Sequence, residues 1–205
     1  MVESDVNLIR RNVMDHRIIS PRTAVIAAPA LLAAYGVIRL VPGSKDPGVG
    51  WLAGHSALFA GLLLFGVVFA QLHRLTGGVV GGLAAGVAHV GLLCSLGQVA
   101  IDLYVGATSA DKAAQNLQFE QIQAHPGVMP AFYSVGPLLF HVGLLTLLTA
   151  AAFARRVPFL SPLLVLTATV AMAASLDLLP VGAALHLLAF VPLLRSNPRP
   201  THALT

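Results

Sequence analysis

Six long apolar runs divide the sequence and constrain its fold more than any other feature. A helix needs about 20 predominantly apolar residues to cross the hydrocarbon core of a bilayer. Charged residues make up only 10% of the chain, whereas a soluble domain carries roughly a quarter. We therefore predict an all-α, polytopic bundle of about six transmembrane helices, with the lipid bilayer as its partner. The runs are residues 23–41, 51–72, 77–105, 131–154, 159–176 and 181–194.

The distribution of Lys and Arg predicts the orientation, because basic residues favour the cytoplasmic side of a membrane. If the N-terminus is inside, nine basic residues fall in inner segments and three in outer segments. We therefore expect a multi-pass cell-membrane protein with both termini cytoplasmic. It would have an amphipathic juxtamembrane segment 1–22, a membrane domain 23–195 and a tail 196–205. The inner residues are Arg10, Arg11, Arg17, Arg22, Arg74, Arg155, Arg156, Arg195 and Arg199, and the outer ones are Arg39, Lys45 and Lys112.

The outer loop 107–129 contains a predicted amphipathic helix. Thr108 or Ser109 is expected to cap its start, because hydroxyl side chains accept hydrogen bonds from free backbone N–H groups at helix N-termini. The helix should run to about Ala124, where the turn residues His125-Pro126-Gly127 stop it. We expect it either to cover a cavity or simply to pack at the membrane interface.

Glycines at four-residue spacing mark the third apolar run. Gly78, Gly82 and Gly86 would lie on one helical face, where small residues let two helices approach closely. This pattern predicts helix packing rather than chemistry. The single cysteine, Cys94, lies in the same run and cannot form an intrachain disulfide.

Three acidic residues fall near the predicted outer side. Asp102 lies in the third run, Asp177 near the end of the fifth and Glu120 in the outer helix. Ser95, Gln98 and Asp102 are spaced by three and four residues, so they share one face of a helix. A polar face exposed to lipid is costly. We therefore expect this stripe to face the interior of the bundle or a wet cavity.

Histidine is the second polar signal. Ser134 should share a face with His141, and Tyr133 should lie near the mouth of the bundle. Because ionisable groups at membrane depth need interior partners, we predict a polar cavity lined by runs 2, 3, 4 and 6 under the outer helix. Four different runs each contain one histidine, namely His55, His89, His141 and His186.

The favoured hypothesis is a membrane enzyme acting on a hydrophobic small molecule that is isoprenoid-, quinone- or sterol-like. Removal from water favours the protonated form of a carboxyl group, and a neutral acid in an apolar cavity can donate a proton. Protonation of an alkene or epoxide would start a cyclisation or isomerisation of terpene-cyclase type, with no cofactor required. The candidate catalytic residues are Asp102, Asp177, Glu120, His141 and His55. The candidate substrate-binding residues are Ser95, Gln98, Tyr133, Ser134, His186 and Trp51.

Three other classes of function stay open. His89 and His141 are at similar depth and would suit axial ligation of a b-type haem. Intramembrane acids and histidines also suit a proton-coupled transporter, and a noncatalytic subunit would need none of them. The basic residues lie between apolar runs, so we expect no nucleic-acid partner; the sequence leaves oligomerisation open. The chain has no HxxxH, HxxE or CxxC spacing, no phosphate-binding loop and no GxSxG motif, which disfavours zinc, nucleotide and serine-nucleophile chemistry.

Overall fold

The computed structural model describes residues 20–195 and confirms an all-α bundle. Within these residues every regular element is helical. A π-helical turn, Met129–Ser134, leads into the helix Val135–Phe153, and a 3₁₀ turn, Leu176–Leu178, precedes the helix Leu179–Arg195. The helices are α1 (Pro21–Arg39), α2 (Val49–Thr76), α3 (Gly78–Thr108), α4 (Lys112–Gln123), α5 (Val135–Phe153), α6 (Leu160–Ala174) and α7 (Leu179–Arg195).

Five of the described stretches are long and apolar enough to cross a membrane. They correspond to α1, α2, α3, α5 with its preceding turn, and α7 with its preceding turn. α6 is apolar but has only 15 residues, or roughly 22 Å at 1.5 Å per residue, which is shorter than a typical hydrocarbon core. The structure therefore confirms a multi-pass architecture with five long helices and one shorter one. The predicted juxtamembrane helix and the tail 196–205 fall almost wholly outside the described residues.

Local chemistry sets the helix ends. Ser20 caps α1 by accepting a hydrogen bond from the Thr23 backbone N–H at 3.1 Å. Gly77 and Gly78 have φ values of +60° and +63°, a region that glycine enters without steric penalty, and this produces the tight reversal between α2 and α3. Asp111 caps α4 by accepting from the Ala114 backbone N–H at 2.9 Å.

The Asp111 cap corrects a prediction. Thr108 or Ser109 was expected to start the outer helix, but α3 continues as far as Thr108. The Thr108 hydroxyl lies instead within hydrogen-bond distance of two acceptors, the Tyr104 carbonyl at 2.9 Å and Gln118 Oε1 at 3.0 Å. The helix therefore begins later than predicted, although it ends near Ala124 as expected.

The six apolar helices form a ring. In order around it, α6 packs on α7, α7 on α1, α1 on α2, α2 on α3 and α3 on α5. The ring closes between α5 and α6, which touch much less extensively than the other neighbours. Because the helices alternate in direction, α4 and the loop 40–48 lie at one end of the ring, which we call the α4 end.

Close packing in α3 uses glycines other than those predicted. A Cβ added at Gly86 would meet no atom within 4 Å, and one at Gly82 would meet only the tip of His73 at 4.0 Å. By contrast, a Cβ added at Gly91 would fall on the backbone of Phe140, and one at Gly143 would fall on Ala88. The prediction for Gly78, Gly82 and Gly86 was therefore wrong, because the spacing of small residues does not tell which face meets a neighbour.

Candidate active site

A cavity of about 500 Å³ lies inside the ring of helices. All six apolar helices contribute to its wall, so the predicted lining by four of them was too narrow. Most of the wall is apolar, with Leu58, Leu62, Phe65, Phe140 and Met172 among its residues. The polar residues on the wall are Tyr35, Ser95, Gln98, Asp102, Tyr133, His141, Thr169 and His186.

The polar stripe of α3 faces this cavity. Ser95, Gln98 and Asp102 all line it, as expected for residues spaced by three and four along one helix. The Ser95 hydroxyl donates to the Gly91 carbonyl at 2.9 Å, so it is already satisfied by its own helix. Asp102, which is 8% exposed, is therefore the acidic group that the stripe presents to the cavity.

His55, on α2, lies next to the Asp102 carboxyl group. Its Nε2 lies 3.8 Å from Asp102 Oδ2 and 3.5 Å from the Tyr35 hydroxyl. The other ring nitrogen, Nδ1, is 2.9 Å from the Trp51 carbonyl. A carbonyl can only accept, so Nδ1 carries the proton and the neutral ring presents the Nε2 lone pair to Asp102 and Tyr35.

Trp51 braces this pair rather than lining the cavity. Its Nε1–H donates to the Asp102 backbone carbonyl at 2.7 Å, and its ring stacks on His55 with centroids 4.1 Å apart. On the α4 side, Lys112 Nζ lies 5.6 Å from the indole centroid and Phe119 packs at 6.1 Å. Trp51 therefore fixes the positions of α2 and α3 around Asp102, whereas the sequence had suggested a substrate-binding role.

His141 and His186 form a second polar group on the cavity wall. His141 Nδ1 lies 3.3 Å from the Thr169 hydroxyl, which bridges α5 and α6. His186 is 1% exposed, and its Nδ1 lies 2.8 Å from the Gly182 carbonyl. Its ring meets Phe65 and Phe190 edge-on. These contacts hold both imidazoles in fixed orientations.

The residues at the start of α5 divide between the cavity and the surface. Tyr133 lines the cavity, and its buried hydroxyl lies beside Asp102 and Gln123 without forming a well-aligned hydrogen bond to either. Ser134 does not line it: its side chain is exposed and donates to the Met129 carbonyl at 3.2 Å. Ser134 is therefore a local helix-start contact in this structure.

Two of the predicted acids and one histidine lie away from the cavity. Asp177 is exposed and pairs with Lys45 at 3.3 Å and with Arg39 at 3.7 Å. Glu120 is exposed on α4, and no described residue of α4 lines the cavity. His89 bonds to its own helix at the Ala85 carbonyl and is not brought to the wall where His141 lies. The predicted haem pair is therefore not assembled at this cavity.

The cavity reaches the surface between α5 and α6. On its wall, Leu138 is 58% exposed and Leu176 is 50% exposed. These apolar residues flank the loosely packed seam, and the His141–Thr169 contact crosses the same seam. Exposed apolar residues of this kind are suited to contact with lipid acyl chains.

Sequence reasoning missed two polar wall residues. Tyr35 of α1 and Thr169 of α6 line the cavity, although neither helix was expected to contribute. Tyr35 is the only tyrosine in its helix, and Thr169 bonds to the Val165 carbonyl at 2.9 Å, so it looks self-satisfied in isolation. Only the pairing of helices shows that both contact histidines.

Comparisons with known proteins do not place the chain in a family. No family model matches it, and neither a curated protein nor a solved structure matches it at the threshold for significance. Among the described residues, no three His, Cys, Asp or Glu side chains converge in a way that could hold a metal ion. Function is therefore inferred from the side chains that meet in the cavity.

Proposed function

We propose that this protein is an integral-membrane enzyme that protonates a lipophilic, isoprenoid-like substrate, with Asp102 as the general acid. The observation that supports this most is the position of Asp102: it is a buried carboxyl group on the wall of an apolar cavity, backed by an oriented histidine. A neutral carboxylic acid in such surroundings is a suitable proton donor. A cavity of about 500 Å³ falls within the size range of small-molecule sites.

The proposed reaction is redox-neutral and begins with one proton transfer. The Asp102 carboxyl proton moves to a carbon of a substrate alkene, forming a C–H bond and a carbocation, or to an epoxide oxygen, opening the ring. The cation then loses a neighbouring proton for isomerisation, or is attacked by a second alkene for cyclisation before it loses one. That proton returns to the Asp102 carboxylate, which restores the acid.

Neighbouring side chains suit this chemistry. The Nε2 lone pair of His55 can accept a hydrogen bond from the protonated carboxyl group and can relay a proton to it. Tyr35, Phe65 and Phe140 place aromatic rings on the cavity wall, and such rings attract a developing positive charge. The apolar seam between α5 and α6 would admit a substrate directly from the bilayer.

The proposed location is the cell membrane, with both termini in the cytoplasm. The excess of Lys and Arg in the segments on the side of the N-terminus supports this orientation. The α4 end would then face outward, and Asp102 would lie in the outer half of the bundle. Cysteine introduced into the 40–48 loop should react with a membrane-impermeant maleimide in intact cells if this orientation is correct.

Turnover in lipid nanodiscs tests the proposal. The purified protein would be incubated with neutral isoprenoids, including squalene, 2,3-oxidosqualene, phytol and geranylgeraniol, and the products separated by mass spectrometry. Asp102→Asn should reduce turnover by about 100-fold or more, the usual contribution of a general acid. Asp177→Asn is the matched control, because that acid is exposed and away from the cavity. Full activity in Asp102→Asn, or no product from the wild-type protein, would overturn the proposal.

A further inference from the structure

His186 lines the cavity, and one of its buried ring nitrogens has no hydrogen-bond partner. The residue is 1% exposed and lines the cavity wall. Its Nδ1 bonds to the Gly182 carbonyl at 2.8 Å, whereas its Nε2 has no hydrogen-bond partner. Buried polar atoms are nearly always paired, so an unpaired one at a cavity wall indicates where a ligand bonds.

The backbone contact decides what kind of ligand group Nε2 can bind. Since the Gly182 carbonyl can only accept, the proton of the neutral ring is on Nδ1 and Nε2 presents a lone pair. The ligand group must therefore be a hydrogen-bond donor. An ether, ester or ketone oxygen could not fill this role.

His141 presents a second acceptor on the same wall. The Thr169 hydroxyl gives its one proton to the Val165 carbonyl at 2.9 Å. In its 3.3 Å contact with His141 Nδ1, Thr169 therefore accepts and the histidine donates. The Nε2 atom of His141 therefore presents a lone pair too, which would need a second donor because an alcohol O–H has one proton.

The charged residues on the cavity wall restrict the charge of the ligand. Of the residues that the structure describes on the cavity wall, none is Lys or Arg, and the acidic one is Asp102. A diphosphate or carboxylate headgroup would have no cation to pair with, and burying it unpaired would be strongly unfavourable. An anionic headgroup is therefore excluded. A cationic headgroup would find no carboxylate to pair with while Asp102 is protonated, as the proposed function requires, so the ligand is uncharged.

We propose that the Nε2 atom of His186 accepts a hydrogen bond from the hydroxyl group of a neutral lipid alcohol. This inference rests on the proposed function insofar as the cavity is the substrate site, and it names the substrate class. The hydroxyl would be anchored on α7, and the hydrocarbon chain would extend along the apolar wall towards Asp102. His186 would thereby set which double bond reaches the acid.

A binding comparison tests the anchor directly. Tritiated geranylgeraniol is bound to the protein in nanodiscs and displaced by unlabelled geranylgeraniol or by its methyl ether, which keeps the chain but lacks the O–H donor. The wild-type protein should bind the alcohol about tenfold more tightly than the ether, because the ether leaves the buried acceptor unpaired. Equal affinity for the two would overturn the proposal without any variant.

Variants then locate the anchor. His186→Phe should abolish the preference for the alcohol, whereas His186→Gln, whose amide oxygen can accept, should keep part of it. The matched control is His89→Phe: His89 also bonds through Nδ1 to the carbonyl four residues earlier and packs edge-on to a phenylalanine, but it is away from the cavity. A preference that survives in His186→Phe would place the anchor elsewhere and refute the inference.

The two proposals fail in different measurements. If Asp102→Asn loses turnover but alcohol and ether bind equally, the enzyme proposal stands and the hydroxyl anchor falls. If His186→Phe loses the alcohol preference but Asp102→Asn keeps full turnover, the anchor stands and the role of Asp102 falls.

Discussion

Gly106→Ala should displace the Trp51 indole from the position where it packs against Gly106 of α3. A Cβ at Gly106 would overlap the indole ring, whose Cδ1 and Nε1 atoms are the nearest neighbours of that position. The same Nε1 donates to the Asp102 carbonyl at 2.7 Å, and the indole stacks on His55. One added methyl group therefore disturbs the support of both residues of the proposed acid site.

The size of the effect follows from the two ways in which the site can respond. If the indole stays, the overpacked contact costs about 1–3 kcal/mol. If it moves, it loses a hydrogen bond worth about 1 kcal/mol and an aromatic stack worth about 0.5–1.5 kcal/mol. Because the two responses are alternatives, they are not added, and we expect the free energy of unfolding to fall by about 1–3 kcal/mol.

The chain has a single tryptophan, so its tryptophan fluorescence reports only on the surroundings of Trp51. In detergent, Gly106→Ala should shift the emission to longer wavelength and should unfold at a lower SDS fraction than the wild-type protein. Gly86→Ala is the matched control, since it lies on the same helix with no atom within 4 Å of the new methyl group. Identical emission and stability in the two variants would refute the proposed seating of Trp51.

Two further predictions concern stability. Gly143→Ala should lower the free energy of unfolding by about 1–3 kcal/mol, because the new methyl group would fall on Ala88 of the neighbouring helix; an unchanged SDS unfolding midpoint would contradict the α3–α5 packing. Lys45→Ala should change it by less than about 1 kcal/mol, since its ion pair with Asp177 is exposed. A larger loss, measured in the same unfolding assay, would show that this contact holds the α4 end together.

Much of the fold was predictable because it depends on composition and local periodicity. Apolar runs and their breaks located all six helices within a few residues, and the turn signals at His125-Pro126-Gly127 located the end of α4. The start of α4 was not predictable, because Thr108, Ser109 and Asp111 are all good caps and the length of α3 decides among them. The local sequence also could not predict how each helix is rotated about its own axis. Gly82 and Gly86 have the spacing of a packing face, yet they are not where α3 packs closely against its neighbours.

For the candidate site too, geometry within one helix was predictable and contacts between helices were not. The stripe of Ser95, Gln98 and Asp102 was predictable, because its geometry is fixed within one helix. The partner of Asp102 was not, because His55 reaches it only through the packing of α2 against α3. In the same way, Trp51 is an attractive wall residue in the sequence, yet the close approach at Gly106 turns it into a brace.

The most direct test of the central claim is turnover in heavy water. If Asp102 delivers an exchangeable proton to a substrate carbon, product formed by the wild-type protein in nanodiscs should contain deuterium at the protonated carbon. Asp102→Asn should form little of this product. With an alkene substrate, product that carries no solvent deuterium, or equal labelling and yield from Asp102→Asn, would contradict proton donation by the cavity carboxyl group.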